Sequence, residues 1–114
     1  MISDKAYIAP GAKLGKNVTV YPFVYIEDDD VIGDDCVIYP YVSIMKGTRM
    51  GRGNKVFQNT VLGAEPQDFN YKGDDTHLII GDENIFRENV VINRATFADG
   101  ETRIGNRNFF METR

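Results

Sequence analysis

The sequence predicts an all-β chain wound into a parallel β-helix with three short strands to a coil. Three observations predict it: a large aliphatic residue every six positions, a second pattern every eighteen, and small residues at the bends between them.

The six-residue period starts at the N-terminus. Ile2, Ile8, Leu14, Val20, Ile26, Ile32, Ile38, Ile44, Met50, Val56 and Leu62 follow one another without a miss. The phase lapses at Asp68 and Asp74, returns at Ile80, Phe86 and Ile92, lapses at Ala98, and resumes at Ile104 and Phe110. Sixteen of the 19 in-phase positions carry Ile, Leu, Val, Met or Phe, where composition alone predicts about six. An amphipathic helix needs apolar residues every three or four positions, and a half-buried strand every two. A unit of six is a short strand followed by a bend.

The longer period sets the coil. Gly15, Gly33 and Gly51 are 18 apart, as are Tyr21, Tyr39 and Phe57, and as are Pro22 and Pro40. Three sixes make one turn of a three-sided prism, and residues a turn apart stack about 4.8 Å from each other. Each coil then buries its neighbour, which is how 114 residues build a core.

The bends follow. Four residues after each inward aliphatic stand Ala6, Ala12, Val18, Val24, Cys36, Val42, Thr48, Asn54, Thr60, Asn84, Val90, Thr96 and Asn108. These small or β-branched types suit a tight bend beside a narrow interior, where Gly and Asn tolerate positive φ. Asp30 breaks the series, within the acidic run Glu27-Asp28-Asp29-Asp30. That run reads as a solvated turn in preference to a metal site, because nothing else marks ligands there.

Composition narrows the function. A formal charge of −4 supplies no basic surplus for general nucleic-acid binding, and the trio Arg49, Arg52 and Lys55 reads as a solvated face. The single cysteine, Cys36, permits no intrachain disulfide and fits a reducing compartment. Met1-Ile2-Ser3-Asp4-Lys5 has no apolar signal region, and no apolar run reaches membrane-spanning length. The expectation is one cytoplasmic domain over residues 1–114, with no membrane insertion and no nucleic-acid partner.

The phase survives both lapses, since Leu62 to Ile80 is 18 residues and Ile92 to Ile104 is 12. The prism is therefore interrupted by excursions, at about 64–78 and about 97–102, and then rejoined. Loops thrown out of a regular scaffold are where function concentrates.

Residues in and after the first excursion carry a resemblance. Gly63-Ala64-Glu65-Pro66-Gln67-Asp68-Phe69-Asn70-Tyr71-Lys72-Gly73 is similar to the signature loop of the bacterial acyl-[acyl-carrier-protein]–UDP-N-acetylglucosamine O-acyltransferases. Ile80 to Thr96, with its Ile92-Asn93-Arg94-Ala95-Thr96, resembles the next coil of that family. Ile104 to Met111 resembles the segment leading to its active site. The hexads in general resemble the hexapeptide-repeat acyltransferases, whose parallel β-helix is left-handed. That hand comes from the resemblance, because parallel crossovers are right-handed by default.

The resemblance implies a reaction: a (3-hydroxy)acyl chain passes from acyl-carrier-protein to the 3-hydroxyl of UDP-N-acetylglucosamine, the first step of lipid A biosynthesis. It implies no cofactor, and a homotrimer with the site between neighbouring subunits. A histidine takes the proton of the sugar hydroxyl, as a neutral imidazole can near pH 7, and backbone N–H groups hold the oxyanion. Asp68 matches the loop carboxylate that contacts the sugar, its two acceptor oxygens suiting vicinal hydroxyls. Gln67 matches a neighbouring substrate-loop residue, and Asn93 stands where some members carry a histidine near the nucleotide sugar. Asn70 departs from the family's usual lysine and Ala95 from a common glycine.

In the family the general-base histidine follows the Phe110-Met111 segment by a few residues, so it is expected just beyond Arg114. The only histidine is His77, at the foot of the first excursion, where the family motif has no catalytic histidine; it reads as a partly exposed loop residue. The expectation is an N-terminal fragment of a longer enzyme, inactive by itself, without its later coils and helical domain. Two other readings stay open: a non-catalytic trimeric scaffold, and another hexapeptide acetyltransferase that uses coenzyme A but would lack the Pro-Gln-Asp loop. A zinc-dependent carbonic anhydrase needs about three histidine ligands, so no metal site is expected. The outward aromatics Tyr7, Tyr25, Phe23 and Tyr41 line a trimer interface or simply cover a face.

Overall fold

Strands form where the period puts them. The computed structural model describes residues 1–66, 76–95 and 100–112, which contain fifteen short strands in three parallel five-stranded sheets. Wall I stacks β1 (Tyr7–Ile8), β4 (Tyr25–Ile26), β7 (Ser43–Ile44), β10 (Val61–Ala64) and β13 (Val91–Asn93). Wall II stacks β2 (Lys13–Leu14), β5 (Val31–Ile32), β8 (Thr48–Met50), β11 (His77–Ile80) and β14 (Glu101–Ile104). Wall III stacks β3 (Thr19–Val20), β6 (Val37–Ile38), β9 (Lys55–Val56), β12 (Ile85–Phe86) and β15 (Phe109–Phe110). Successive strands fall on successive walls, three hexapeptide units to a coil. The fold is the left-handed parallel β-helix that the resemblance implies.

Pairing keeps the aliphatics in register. Ile8, Ile26, Ile44, Leu62 and Ile92 stack on wall I, and Leu14, Ile32, Met50, Ile80 and Ile104 on wall II. Wall III stacks Val20, Ile38, Val56, Phe86 and Phe110, the two rings lying 4.9 Å apart and nearly parallel. Ile26, Ile32, Ile38, Ile44 and Leu62 are at most 1% exposed. Each such side chain contributes roughly 1.5–3 kcal/mol when removed from water. The eighteen-residue glycines have a steric cause: a Cβ on Gly33 would stand 2.5 Å from the carbonyl carbon of Gly51, one coil above.

The corners refine the expectation. Positive φ falls three residues after the inward aliphatic, at Asn17, Phe23, Asp29, Asp35, Tyr41, Asn59, Glu83, Asn89 and Arg107, with glycine at 47 and 53. The residue after it, where the sequence places the bend, turns its side chain into the prism. Val18, Val24, Cys36, Val42, Thr48, Asn54, Thr60, Asn84 and Val90 are all buried. Asn54, Asn84 and Thr60 bond the coil above. Asn54 Oδ1 accepts from Asn84 N at 2.8 Å, Asn84 Oδ1 from Asn108 N at 2.8 Å, and Thr60 Oγ1 from Val90 N at 3.2 Å.

Asp30 is a correction. It is fully buried, as its place in this series requires, and only its run-mates Glu27, Asp28 and Asp29 meet solvent. Its Oδ1 accepts from Thr48 N at 3.0 Å and its Oδ2 from Glu27 N at 3.1 Å. Burial pushes the carboxyl up to about 8, against the lowering effect of these two N–H donors. Between its ordinary value of 3.8 and about 8, folded Asp30 keeps a proton that the unfolded chain releases. The stability this contributes is complete below the lower value and lost as pH rises through the upper one. Thermal denaturation from about pH 4 to about pH 9 should show that decline, steepest at about one proton per molecule. Asp30→Asn cannot ionise and should lose this component; an unchanged slope would sink the assignment.

Candidate functional site

Both excursions emerge from one edge of the prism. β10 ends at Ala64 on wall I and β11 begins at His77 on wall II. One coil further, β13 ends at Asn93 on wall I and β14 begins at Glu101 on wall II. Earlier coils turn this edge compactly, through Glu27 to Asp30 and Met45 to Gly47.

A bulge opens the first excursion. β10 and β13 pair at Val61 with Val91 and at Leu62 with Ile92, but the next pair is Ala64 with Asn93. Gly63 is the extra residue, with φ +79°. Two residues face one, and the strand bends out of the wall. A side chain at 63 would collide with Thr48 Oγ1, so glycine is required twice over, by backbone and by space.

Asn93 and Arg94 tie the two excursions together at their roots. Asn93 Nδ2 donates to Glu65 O at 2.9 Å, and Arg94 N donates to Ala64 O at 2.9 Å. The Arg94 guanidinium donates from Nη1 to Gly63 O at 3.1 Å and to Lys46 O at 3.2 Å. On the wall II side, His77 is the first residue of a strand and not a loop residue, with its side chain 25% exposed. Its Nε2 lies 3.8 Å from Asp29 Oδ2, while Asp29 Oδ1 accepts from Arg49 Nη2 at 2.8 Å. His77 N also donates to Gly100 O at 3.2 Å, where the second excursion returns. Glu27 completes the edge, accepting from Lys46 N at 2.8 Å and from Tyr25 OH at 3.2 Å. That last bond holds the Tyr25 hydroxyl above its ordinary range.

The edge thus presents amide, carboxylate, guanidinium and imidazole groups on strand ends and turns where the two excursions depart and return. Such a set suits a ligand rich in hydroxyls and phosphate oxygens. Among the described residues no three His, Cys, Asp or Glu side chains are grouped to hold a metal ion. Of the predicted site residues, Asn93 lies at this edge, whereas Gln67 and Asp68, with Asn70, fall outside the described residues. The sequence did not single out Arg94 or Gly63 as residues of this edge. The available signal was a glycine directly after the last in-phase aliphatic before the lapse, and an arginine directly after the matching strand one coil later.

No protein-family model matches the chain. A curated acyl-[acyl-carrier-protein]–UDP-N-acetylglucosamine O-acyltransferase from Saccharophagus degradans is 43% identical over 111 residues, covering 96% of this chain and 43% of the relative. The corresponding protein from Chlamydia caviae is 37% identical over 105 residues, 92% of this chain and 38% of the relative. The chain therefore spans less than half the length of these relatives. Among solved structures, the UDP-N-acetylglucosamine acyltransferase of Bacteroides fragilis superposes with a TM-score of 0.95 at 51% identity, over 98% of this chain and 44% of that one. The Acinetobacter baumannii enzyme superposes with a TM-score of 0.92 at 34% identity, over 95% and 42%.

If β10 bulges at Gly63 as described, Gly63→Ala should lower unfolding free energy by about 2 kcal/mol or more, combining left-handed strain with the clash. Chemical denaturation measures this, and unchanged stability would mean that no such bulge exists.

Proposed function

Since this β-helix is homologous, over nearly its whole length, to the UDP-N-acetylglucosamine O-acyltransferases, we propose that it supplies the sugar-nucleotide end of such an enzyme's site. The reaction moves a hydroxyacyl chain from acyl-carrier-protein to the 3-hydroxyl of UDP-N-acetylglucosamine, in lipid A synthesis. One observation carries the proposal to these residues. The Glu65 carbonyl, two residues before Gln67, accepts from Asn93, so the predicted site positions root at one edge.

Each residue has a role in this proposal. Asp68 accepts hydrogen bonds from sugar hydroxyls, with Gln67 beside it. Asn93 offers its Oδ1 to the nucleotide sugar while its Nδ2 is engaged with the loop root. The proposal gives these residues recognition and not the proton transfer; His77, the only imidazole in the chain, has its Nε2 3.8 Å from Asp29 Oδ2, beyond hydrogen-bond distance. The general base that removes the proton of the attacking hydroxyl is not assigned to these residues.

A trimer follows from the same proposal. Tyr7 stacks on Tyr25 and Phe23 on Tyr41, each pair at 5.4 Å, and all four are at least 40% exposed. They lie on the outer face of wall I and at its border with wall III, and the opposite border of wall I is the edge described above. A second copy packed on wall I would face that edge.

Two measurements test this. In calorimetric titration with UDP-N-acetylglucosamine the chain should bind, and Asp68→Asn should weaken binding about tenfold, the scale of one hydrogen bond to a charged group. No binding, or equal affinity in the variant, rejects the site. Light scattering should give three times the 12.9 kDa chain mass, and a monomer rejects the trimer.

A further inference from the structure

We propose that Arg94 is a positioning residue for sugar-nucleotide binding, holding the bulge from which the Gln67–Asp68 segment departs. The inference rests on the function proposed above and extends it to a residue that touches no substrate.

The geometry is a clamp across three coils. Lys46 belongs to the coil before the bulge, Gly63 is the bulge, and Arg94 follows the strand stacked on it. A single nitrogen, Nη1, has two hydrogens, and carbonyls of the two earlier coils lie 3.2 and 3.1 Å from it. The same residue's backbone N–H bonds Ala64 O, immediately after the bulge. Gly63 is buried and skipped by the ladder, so its carbonyl needs a donor from outside the regular register. Arg94 is that donor.

The consequence is directional. A bulge can migrate or anneal when its orphan carbonyl loses its partner, and each residue of slip reverses the face a side chain meets. The described segment Ala64 to Pro66 would then leave the edge at a different angle, and Asp68 follows it by two residues in sequence. Arginine suits this task because its guanidinium is planar, holds several donors in a fixed fork and is less strongly hydrated than an ammonium. A lysine ammonium also has donors for both carbonyls, but it is more strongly hydrated and ends a flexible stem.

The test is a double-mutant cycle on UDP-N-acetylglucosamine affinity, with thermal unfolding measured in parallel. Arg94→Ala should weaken binding about tenfold in the unaltered chain and have little further effect in the Asp68→Asn background, because both act through one carboxylate. Arg94→Lys should restore part of the affinity. An arginine with only a scaffold role would lower the unfolding temperature and leave the affinity of folded protein unchanged, which overturns the proposal. Additive losses in the cycle also overturn it. If Arg94→Ala does not fold, Arg94→Lys decides: full affinity rejects the clamp, and an intermediate loss that vanishes in the Asp68→Asn background supports it. Should Asp68→Asn weaken binding while Arg94 variants do not, the proposed function stands and this inference alone fails. Should the unaltered chain not bind, both fail.

Discussion

Every coil must close in register on the one beneath it, because each strand finds its backbone partners only there. Strands of two to four residues have no stability alone. They persist because N–H groups such as those of Tyr25, Val37 and Lys55 meet carbonyls exactly one turn away at 2.9 Å. A one-residue slip would turn Ile26, Ile32 and Ile38 out of the prism together. The same constraint explains the corners. A strand of two residues must turn within four, and a left-handed residue at one fixed place in each hexad achieves this.

The two excursions relax that constraint at one edge. An excursion of any length is allowed if the chain returns to the same wall in phase. Ile80 pairs with Met50, and Ile104 with Ile80, as though nothing had intervened. What an excursion cannot avoid is a disturbance at its exit. At Gly63 the disturbance takes the form of an extra residue, a left-handed φ and a carbonyl outside the ladder. Bonds from Asn93 and Arg94 meet the exit from the next coil. The loops therefore start from a rigid base, which a binding site needs if its loop residues are to meet a ligand reproducibly.

The walls were legible in the sequence because burial there has no alternative chemistry: an inward position between two coils accepts an aliphatic or little else. Positions after the aliphatics were harder. Asp30 has acidic neighbours on the chain, and their exposure suggested its own; only the phase of the hexad reveals that it alone points inward. The left-handed residue was displaced by one because Gly and Asn, its usual marks, are outnumbered there by Asp, Phe, Tyr, Glu and Arg. Tertiary closure imposes that conformation on residues that resist it. Asn93 came from resemblance, and the structure adds a bond to the first excursion's root. Arg94 stood within the resembling segment, but its bonds to Gly63 O and Lys46 O depend on a register shift that the sequence marks only by the glycine.

The three corners also differ in how completely their buried polar groups are satisfied. Between walls II and III, Asn54 and Asn84 use donor and acceptor alike: Asn54 Nδ2 donates to Gly81 O at 2.9 Å and Asn84 Nδ2 to Gly105 O at 2.8 Å. Between walls III and I, Thr60 donates to Arg87 O at 2.6 Å and accepts from Val90 N, while the buried Gln58 Oε1 has no partner among the described residues. The edge that the excursions leave also has an unbonded group. Asp30 stays there by holding a proton, Thr48 donates its hydroxyl only within its own coil, to Met45 O, and the buried Thr76 hydroxyl finds no partner among the described residues. A buried hydroxyl left unbonded costs about 1–3 kcal/mol. Among the described residues, the corner between walls II and III has no buried side-chain N or O left unbonded, and its asparagine ladder holds successive coils in register.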